Sequence, residues 1–183
     1  MKTKHWIAIL VLILLGLIIY LASKPERQFE PYEFKKYNAV FNLAEEQFLD
    51  TIVHVGLDRM WISNAVVIIK TQQKAQSLGD GYETEAYIRT NGSQYVIWVK
   101  PGISRSKAIN TLAHELIHLQ QYESGWLKPL GGKAVVWKGD TIYDITEIDY
   151  MERAWEKDAF KHGPHLAKNI KEVLWPKEWN KYG

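Results

Sequence analysis

The sequence predicts a single α+β domain behind one N-terminal transmembrane helix. An apolar run from Trp6 to Ala22 dominates the first 23 residues, and the rest of the chain shows helix-like and strand-like periodicity in the order helix, strands, helix, hairpin, helix. No internal repeat or low-complexity tract divides it. At 183 residues the chain has room for one domain and excludes a large multidomain protein.

Trp6 to Ala22 reads WIAILVLILLGLIIYLA, 17 residues with no polar side chain beyond Tyr20. As a helix this covers about 25 Å against a hydrocarbon core of about 30 Å, and His5 and Ser23 extend it. It is longer than a signal-peptide apolar region, and no A-x-A cleavage site follows, the nearest candidate being Leu21-Ala22-Ser23. The expectation is an uncleaved single-pass anchor over residues 1–23, with a cleaved signal peptide as the alternative. Lys2 and Lys4 precede the span, while Lys24 and Arg27 follow it mixed with Glu26 and Glu30. That slight bias favours an N-inside orientation, with the domain outside the cytoplasm. Residues 24–36 carry two Pro and mixed charge and read as a juxtamembrane linker, leaving 37–183 as the folded domain.

Within the domain, Phe41, Ala44, Phe48, Leu49, Ile52 and Val53 recur at helical spacing between Asn38 and about His54. Val66–Ile69 is a short β-branched run and reads as a strand. ETEAYIRT and SQYVIWVK flank Asn91-Gly92, which predicts a hairpin with a type I′ turn. Pro101-Gly102 ends the second strand. Ser104 or Ser106 then caps a helix to about Tyr122, which Gly125 terminates. Residues 134–144 (AVVW-KGD-TIYD) suggest a second hairpin, and a helix follows from about Glu147 to Phe160. The remaining residues, 161–183, hold two Pro and two Trp and read as a packed tail, with His162-Gly-Pro-His165 as a solvated loop.

Composition narrows the function classes. Apolar residues at 46% and charged residues at 24%, with eight Trp and ten Tyr, exclude a disordered chain. The net charge of +2 comes from the two Lys of residues 1–23; the rest holds 21 basic and 21 acidic residues. A nucleic-acid binder needs a basic footprint, so no nucleic-acid partner is expected. The absence of Cys excludes disulfides, thiolate metal sites and Cys nucleophiles.

Residues 114–118 read His-Glu-Leu-Ile-His. On a helix, positions i and i+4 lie about 40° apart, so His114 and His118 can share one metal ion. Imidazole pairs suit Zn²⁺. Glu115 stands beside them, placed to take a proton from a zinc-bound water rather than to bind the metal. The surrounding helix is mostly apolar (Ile109, Leu112, Ala113, Leu116, Ile117, Leu119), so His and Glu within it need a polar reason. A catalytic zinc needs a third protein ligand. Ser124, six residues past His118, is not one. Glu147, Asp149, Glu152, Glu156 and Asp158 are the candidates, with Glu152 and Glu156 on one face of the predicted helix.

H-E-L-I-H-L-Q-Q-Y-E-S-G, then V-V-W-K-G-D, then Y-M-E-R-A-W-E-K-D-A-F, resembles the small gluzincin zinc metallopeptidases, over about residues 104–160. The resemblance implies a zincin-like fold and an HExxH helix followed by an ExxA helix whose first Glu binds zinc. Glu156-Lys157-Asp158-Ala159 matches ExxA, so the implied metal ligands are His114, His118 and Glu156. It also implies Gln121 as a partner of the site, a protein or peptide substrate, and an edge strand beside the active-site helix, which Tyr95–Val99 precedes in sequence. Peptide hydrolysis then needs an oxyanion donor, for which Tyr143, Tyr150, His162 and His165 are candidates. His5 and His54 belong to no motif. The expected function is a membrane-anchored zinc metallopeptidase with Glu115 as general base. The alternative is an inactive zincin-like binding module on the same anchor.

Overall fold

The computed structural model describes residues 43–71, 76–77, 83–92 and 94–175. The predicted membrane span, the linker and the last eight residues lie outside them. No helix among the described residues is long and apolar enough to cross a membrane.

The architecture is α+β, with three helices and three small sheets. Helix α1 (Leu43–Arg59) runs one turn further than the periodicity predicted. Strands β1 (Val67–Thr71), β4 (Ala86–Thr90) and β5 (Tyr95–Val99) form the main sheet in the order β1-β5-β4. β5 pairs parallel with β1 and antiparallel with β4. The central strand is therefore β5, and the free edge beside the helical layer belongs to β4 rather than to Tyr95–Val99. Between β1 and β4, β2 (Gln76–Ser77) and β3 (Glu83–Thr84) make a short antiparallel pair. Helix α2 (Arg105–Glu123) carries the HELIH motif. A meander of β6 (Leu127–Gly131), β7 (Ala134–Trp137) and β8 (Asp140–Ile142) follows, then two 3₁₀ turns (Ile145–Glu147 and Tyr150–Glu152) and helix α3 (Ala154–Leu174).

One apolar core joins the inner face of the main sheet to all three helices. Val67, Ile69, Ile88 and Ile97 from the sheet meet Ile52, Val53, Ile109, Leu112, Leu116 and Leu119 from α1 and α2, with Leu166 and Ile170 from α3. Alternation in β4 and β5 puts every second residue in this core. Gly56 lets α1 lie directly on the HELIH helix, because a Cβ there would stand 2.4 Å from Leu116 Cδ1.

Four expectations are corrected. The β4–β5 connection is not a type I′ turn centred on Asn91-Gly92. Asn91 N–H donates to Gln94 O at 3.2 Å and Asn91 Oδ1 accepts from Gln94 N–H at 2.9 Å, so pairing continues through Asn91. Gly92, at φ 90°, becomes the first central residue. The two-residue turn with positive φ at both positions lies instead at Lys138-Gly139 (φ 49° and 100°) between β7 and β8. β6 was not expected, since Pro129 and Gly131 argue against a strand; it is an edge strand with a register shift between those two residues. The last helix begins at Ala154, not Glu147, and does not stop at Phe160. It continues through Gly163-Pro164, so His162 and His165 lie on a helix and not in a loop. Pro in a helix interior costs about 3 kcal/mol, but Ala159, Leu166, Ala167 and Ile170 bury a continuous stripe on either side of it.

Candidate metal centre

Helix α2 starts at Ser104, whose Oγ accepts from Lys107 N–H at 3.3 Å. It ends through Ser124 and Gly125 (φ 69°), whose N–H groups reach the carbonyls of Gln120 and Tyr122. Thus Ser104 is the cap and Ser106 is not. The apolar faces of this helix lie in the core, leaving His114, Glu115 and His118 along the side that meets α3 and β4.

α3 brings Glu156 to the two histidines. Glu156 Oε2 lies 3.2 Å from His114 Nε2 and 3.1 Å from His118 Nε2, and the two Nε2 atoms are 3.2 Å apart. His118 and Glu156 are 6% and 7% exposed. These three are the residues among those described that could hold a metal ion. Their donor atoms form a nearly equilateral triangle. A tetrahedral ion with bonds of about 2.0–2.1 Å needs ligand-to-ligand edges of about 3.3 Å, which the triangle nearly meets without rearrangement.

Hydrogen bonding around His118 explains why the donors point inward. Gln121 Nε2 donates to Trp155 O at 3.0 Å and to Asp158 Oδ2 at 2.9 Å. Both amide hydrogens are thereby used, so Gln121 Oε1 is the atom facing His118 Nδ1 at 2.9 Å. That oxygen can only accept, so Nδ1 carries a proton. In the neutral ring Nε2 then holds a lone pair aimed at a carboxylate oxygen. Two acceptors 3.1 Å apart require a cation between them. In the metal-free chain this is a proton. Burial disfavours a charged His118, but the hydrogen bond and charge of Glu156, helped by Glu115, outweigh it and push the imidazole up to about 9. Burial also works against a charged Glu156, yet the two histidines hold its carboxyl well below the usual range. A divalent metal would replace that proton, and the donor set of two imidazoles and one carboxylate suits zinc.

Glu115 lies beside the triangle and outside it. It is 6% exposed and lies beside the Ile88 backbone on β4, which favours its charged form. Burial raises its pKa, while nearby His118 and His114 pull it back. A cleft of about 590 Å³ opens in front of it, lined near the triangle by His114, Glu115, Tyr150 and Phe160. The Phe160 ring rests on His114 at 4.6 Å between centroids and Tyr150 meets Phe160 edge-on at 6.3 Å, forming an aromatic wall.

The other candidates fall away from this point. Glu152 is in the second 3₁₀ turn, with its side chain 66% exposed and paired with Lys157. It shares no helical face with Glu156, because α3 starts after it. Glu147 and Asp149 belong to the same irregular stretch, where Asp149 caps its 3₁₀ turn. Asp158 supports Gln121 and pairs with Lys138 at 3.7 Å. Among the oxyanion candidates, Tyr143 is 82% exposed on the meander, and His162 and His165 are exposed on α3; only Tyr150 lines the cleft. Burial, then the charge and hydrogen bond of Glu156, raise the Tyr150 pKa, so its hydroxyl stays protonated. Sequence reasoning missed Asp158 as the second anchor of Gln121 and Phe160 as the rest for His114. Phe160 stands four residues after Glu156, the spacing that puts it on the same helical face.

No protein-family model matches this chain, and neither does any curated protein or solved structure.

Proposed function

We propose that this chain is a zinc-dependent metallopeptidase of gluzincin type with a zincin-like fold, anchored in a membrane by residues 1–23, with its domain (residues 37–183) outside the cytoplasm. The observation that carries the reading is the preorganised triangle of His114, His118 and Glu156 with Glu115 beside it at the end of a cleft. The apolar run Trp6–Ala22 supports the anchor.

His114, His118 and Glu156 would hold the ion, which supplies Lewis acidity when bound. Glu115 is the general base. Its buried carboxylate takes a proton from the attacking water and passes it to the leaving nitrogen, and its raised pKa suits both directions of transfer. Tyr150 keeps its proton, lines the cleft and hydrogen-bonds Glu156, so it would serve an oxyanion formed there by turning its hydroxyl from Glu156 to that oxygen. Gln121, anchored at Trp155 O and Asp158, keeps His118 in the ligating tautomer. The substrate is a protein or peptide.

The test combines metal content with hydrolysis. Purified full-length chain should contain about one zinc per molecule and cleave members of a peptide library. Glu115→Gln should keep the zinc and lose at least about 10²-fold in rate. Zinc with no hydrolysis of any peptide favours the inactive module, and no zinc under any loading condition removes the metallopeptidase reading.

A further inference from the structure

The meander that follows the HELIH helix has an outward side that the metal centre does not use. Leu127 of β6 is buried, so alternation turns Trp126 and Lys128 to the opposite side. Lys138 N–H donates to Trp126 O at 2.7 Å, which extends the β6–β7 ladder to Trp126. Lys128 stands opposite Val136, and Val136 opposite Thr141, so the same side continues across β7 and β8. Tyr143, next after Ile142, alternates onto it. Trp126, Leu130 and Tyr143 are 45%, 55% and 82% exposed. Of the seven large apolar or aromatic residues exposed among the described residues, three thus stand at this short meander.

The charge of this side has one sign. Between Trp126 and Tyr143 the chain carries three lysines and one acid. The acid, Asp140, stands opposite Trp137, which in turn is opposite Leu127, so it shares the inner side. Lys133 pairs with Asp144 and Lys138 with Asp158, which leaves the exposed Lys128 as the cation of the outer side. Trp, Tyr, Leu and Lys together suit the boundary between lipid headgroups and water. The rings bring apolar area with a polar N–H or O–H, leucine enters the acyl edge, and lysine meets phosphate.

The chain brings such a boundary within reach. Leu43 comes 21 residues after Ala22, the end of the apolar run, and a chain of that length extends to at most about 75 Å. With Trp6–Ala22 in a bilayer, the domain stays at that membrane at an effective concentration on the order of millimolar. A contact too weak to recruit a free protein is then populated.

We propose that the outer side of the β6–β8 meander, at Trp126, Lys128, Leu130 and Tyr143, docks on the headgroup layer of the bilayer that holds this chain's own anchor. The proposal rests on the anchor in the reading above and adds a second membrane contact to it. Since β6 starts two residues after Gly125, the docked meander holds the C-terminal end of the HELIH helix near the headgroups.

The chain has no cysteine, so each one introduced takes a single label. Full-length Leu130→Cys and Tyr143→Cys carry a nitroxide in nanodiscs of phosphatidylcholine and phosphatidylglycerol, loaded with one chain per disc. Paramagnetic resonance compares collisions with oxygen, which enters lipid, and with a nickel chelate, which stays in water. Both labels should show an oxygen-to-nickel ratio several-fold above that of Val173→Cys, which is exposed near the end of α3. Lys128→Glu combined with Leu130→Glu should return the Tyr143→Cys label to the water value, with circular dichroism unchanged. Labels that read water in disc-embedded chains overturn the docking and leave the anchor standing. Burial of the labels only in discs that hold two chains assigns this side to a second copy and overturns it as well, as does lipid contact that survives the double variant. A chain that stays out of the discs overturns anchor and docking together. Peptide cleavage enters none of these outcomes, so the peptidase reading is tested apart from them.

Discussion

Gln121 accepts a hydrogen bond from His118 Nδ1 at 2.9 Å while its own amide nitrogen is committed to Trp155 O and Asp158. This residue hydrogen-bonds neither His118 Nε2 nor Glu156, yet it determines which His118 nitrogen a metal ion could use. Gln121→Ala should lower zinc affinity about 10–100-fold without unfolding the chain, measured by chelator competition beside far-UV circular dichroism. An unchanged affinity would mean that His118 keeps its tautomer without help.

The choice of third ligand can be checked directly. Glu156→Gln should drop zinc stoichiometry well below one per chain, whereas Glu152→Gln should leave it unchanged, because Glu152 is exposed and engaged with Lys157. Elemental mass spectrometry on both variants reads this. Retained zinc in Glu156→Gln would displace Glu156 from the ligand set.

Tyr150→Phe removes the one oxyanion candidate that lines the cleft. If the peptidase reading holds, kcat should fall about 10²–10³-fold with KM little changed. Zinc content should stay at wild-type level, since the phenol is not a ligand. A fall in zinc content would assign Tyr150 to holding Glu156 instead.

Gly56 is the point where α1 rests on the HELIH helix. Gly56→Ala gains about 1 kcal/mol of helix propensity but pushes a methyl into Leu116 Cδ1, 2.4 Å away in a fully buried position. Overpacking of this kind costs about 1–3 kcal/mol, so net destabilisation is expected. Adding Leu116→Ala should relieve the clash, and a double-mutant cycle from chemical unfolding would show the coupling.

Asp50 carries a buried Oδ1 with no hydrogen-bond partner. Burial raises its pKa above the ordinary value, and the His54 charge offsets this in part. An acid whose pKa is higher folded than unfolded destabilises the fold when ionised, so the penalty is present at neutral pH and fades as pH falls through the raised value. Asp50→Asn should therefore raise stability at pH 7 by no more than about 1 kcal/mol, because the group is partly solvated, and Tm should rise with it. The gap to wild type should close near pH 3. Parallel thermal melts at the two pH values test this.

The helix with the HELIH motif and the β4–β5 hairpin were legible in the sequence because each is a local pattern: a capped apolar helix, and two alternating runs around a turn. Glu156 came only from the resemblance of Glu156-Lys157-Asp158-Ala159 to ExxA; the residues alone left five acids open, and the fold brings Glu156 among them to the two histidines. The length of α3 was not, because Gly163-Pro164 is a strong local stop signal overruled by burial of Leu166, Ala167 and Ile170 against helices far away in sequence. β6 was hidden for a similar reason, since Pro129 and Gly131 are tolerated only through pairing with β7. Lys168 and Lys171 also line the cleft, which was invisible until α3 was known to continue. Only then do Lys168 and Lys171 fall on the stripe that begins at Glu156 and Phe160.

His118 and Glu156 are 38 residues apart in the chain, on helices that meet at this triangle. An ion held between them would be a reversible cross-link, closing a loop whose entropic restraint on the unfolded chain is worth about 4 kcal/mol if treated as a covalent bridge of that span. Stability and activity would then draw on the same event. A chain starved of metal would lose more than its chemistry: α2 and α3 would be left to their packing alone, and the protein would open more often to whatever proteases surround it. On this view the metal supply governs how long each copy survives as well as how fast it works.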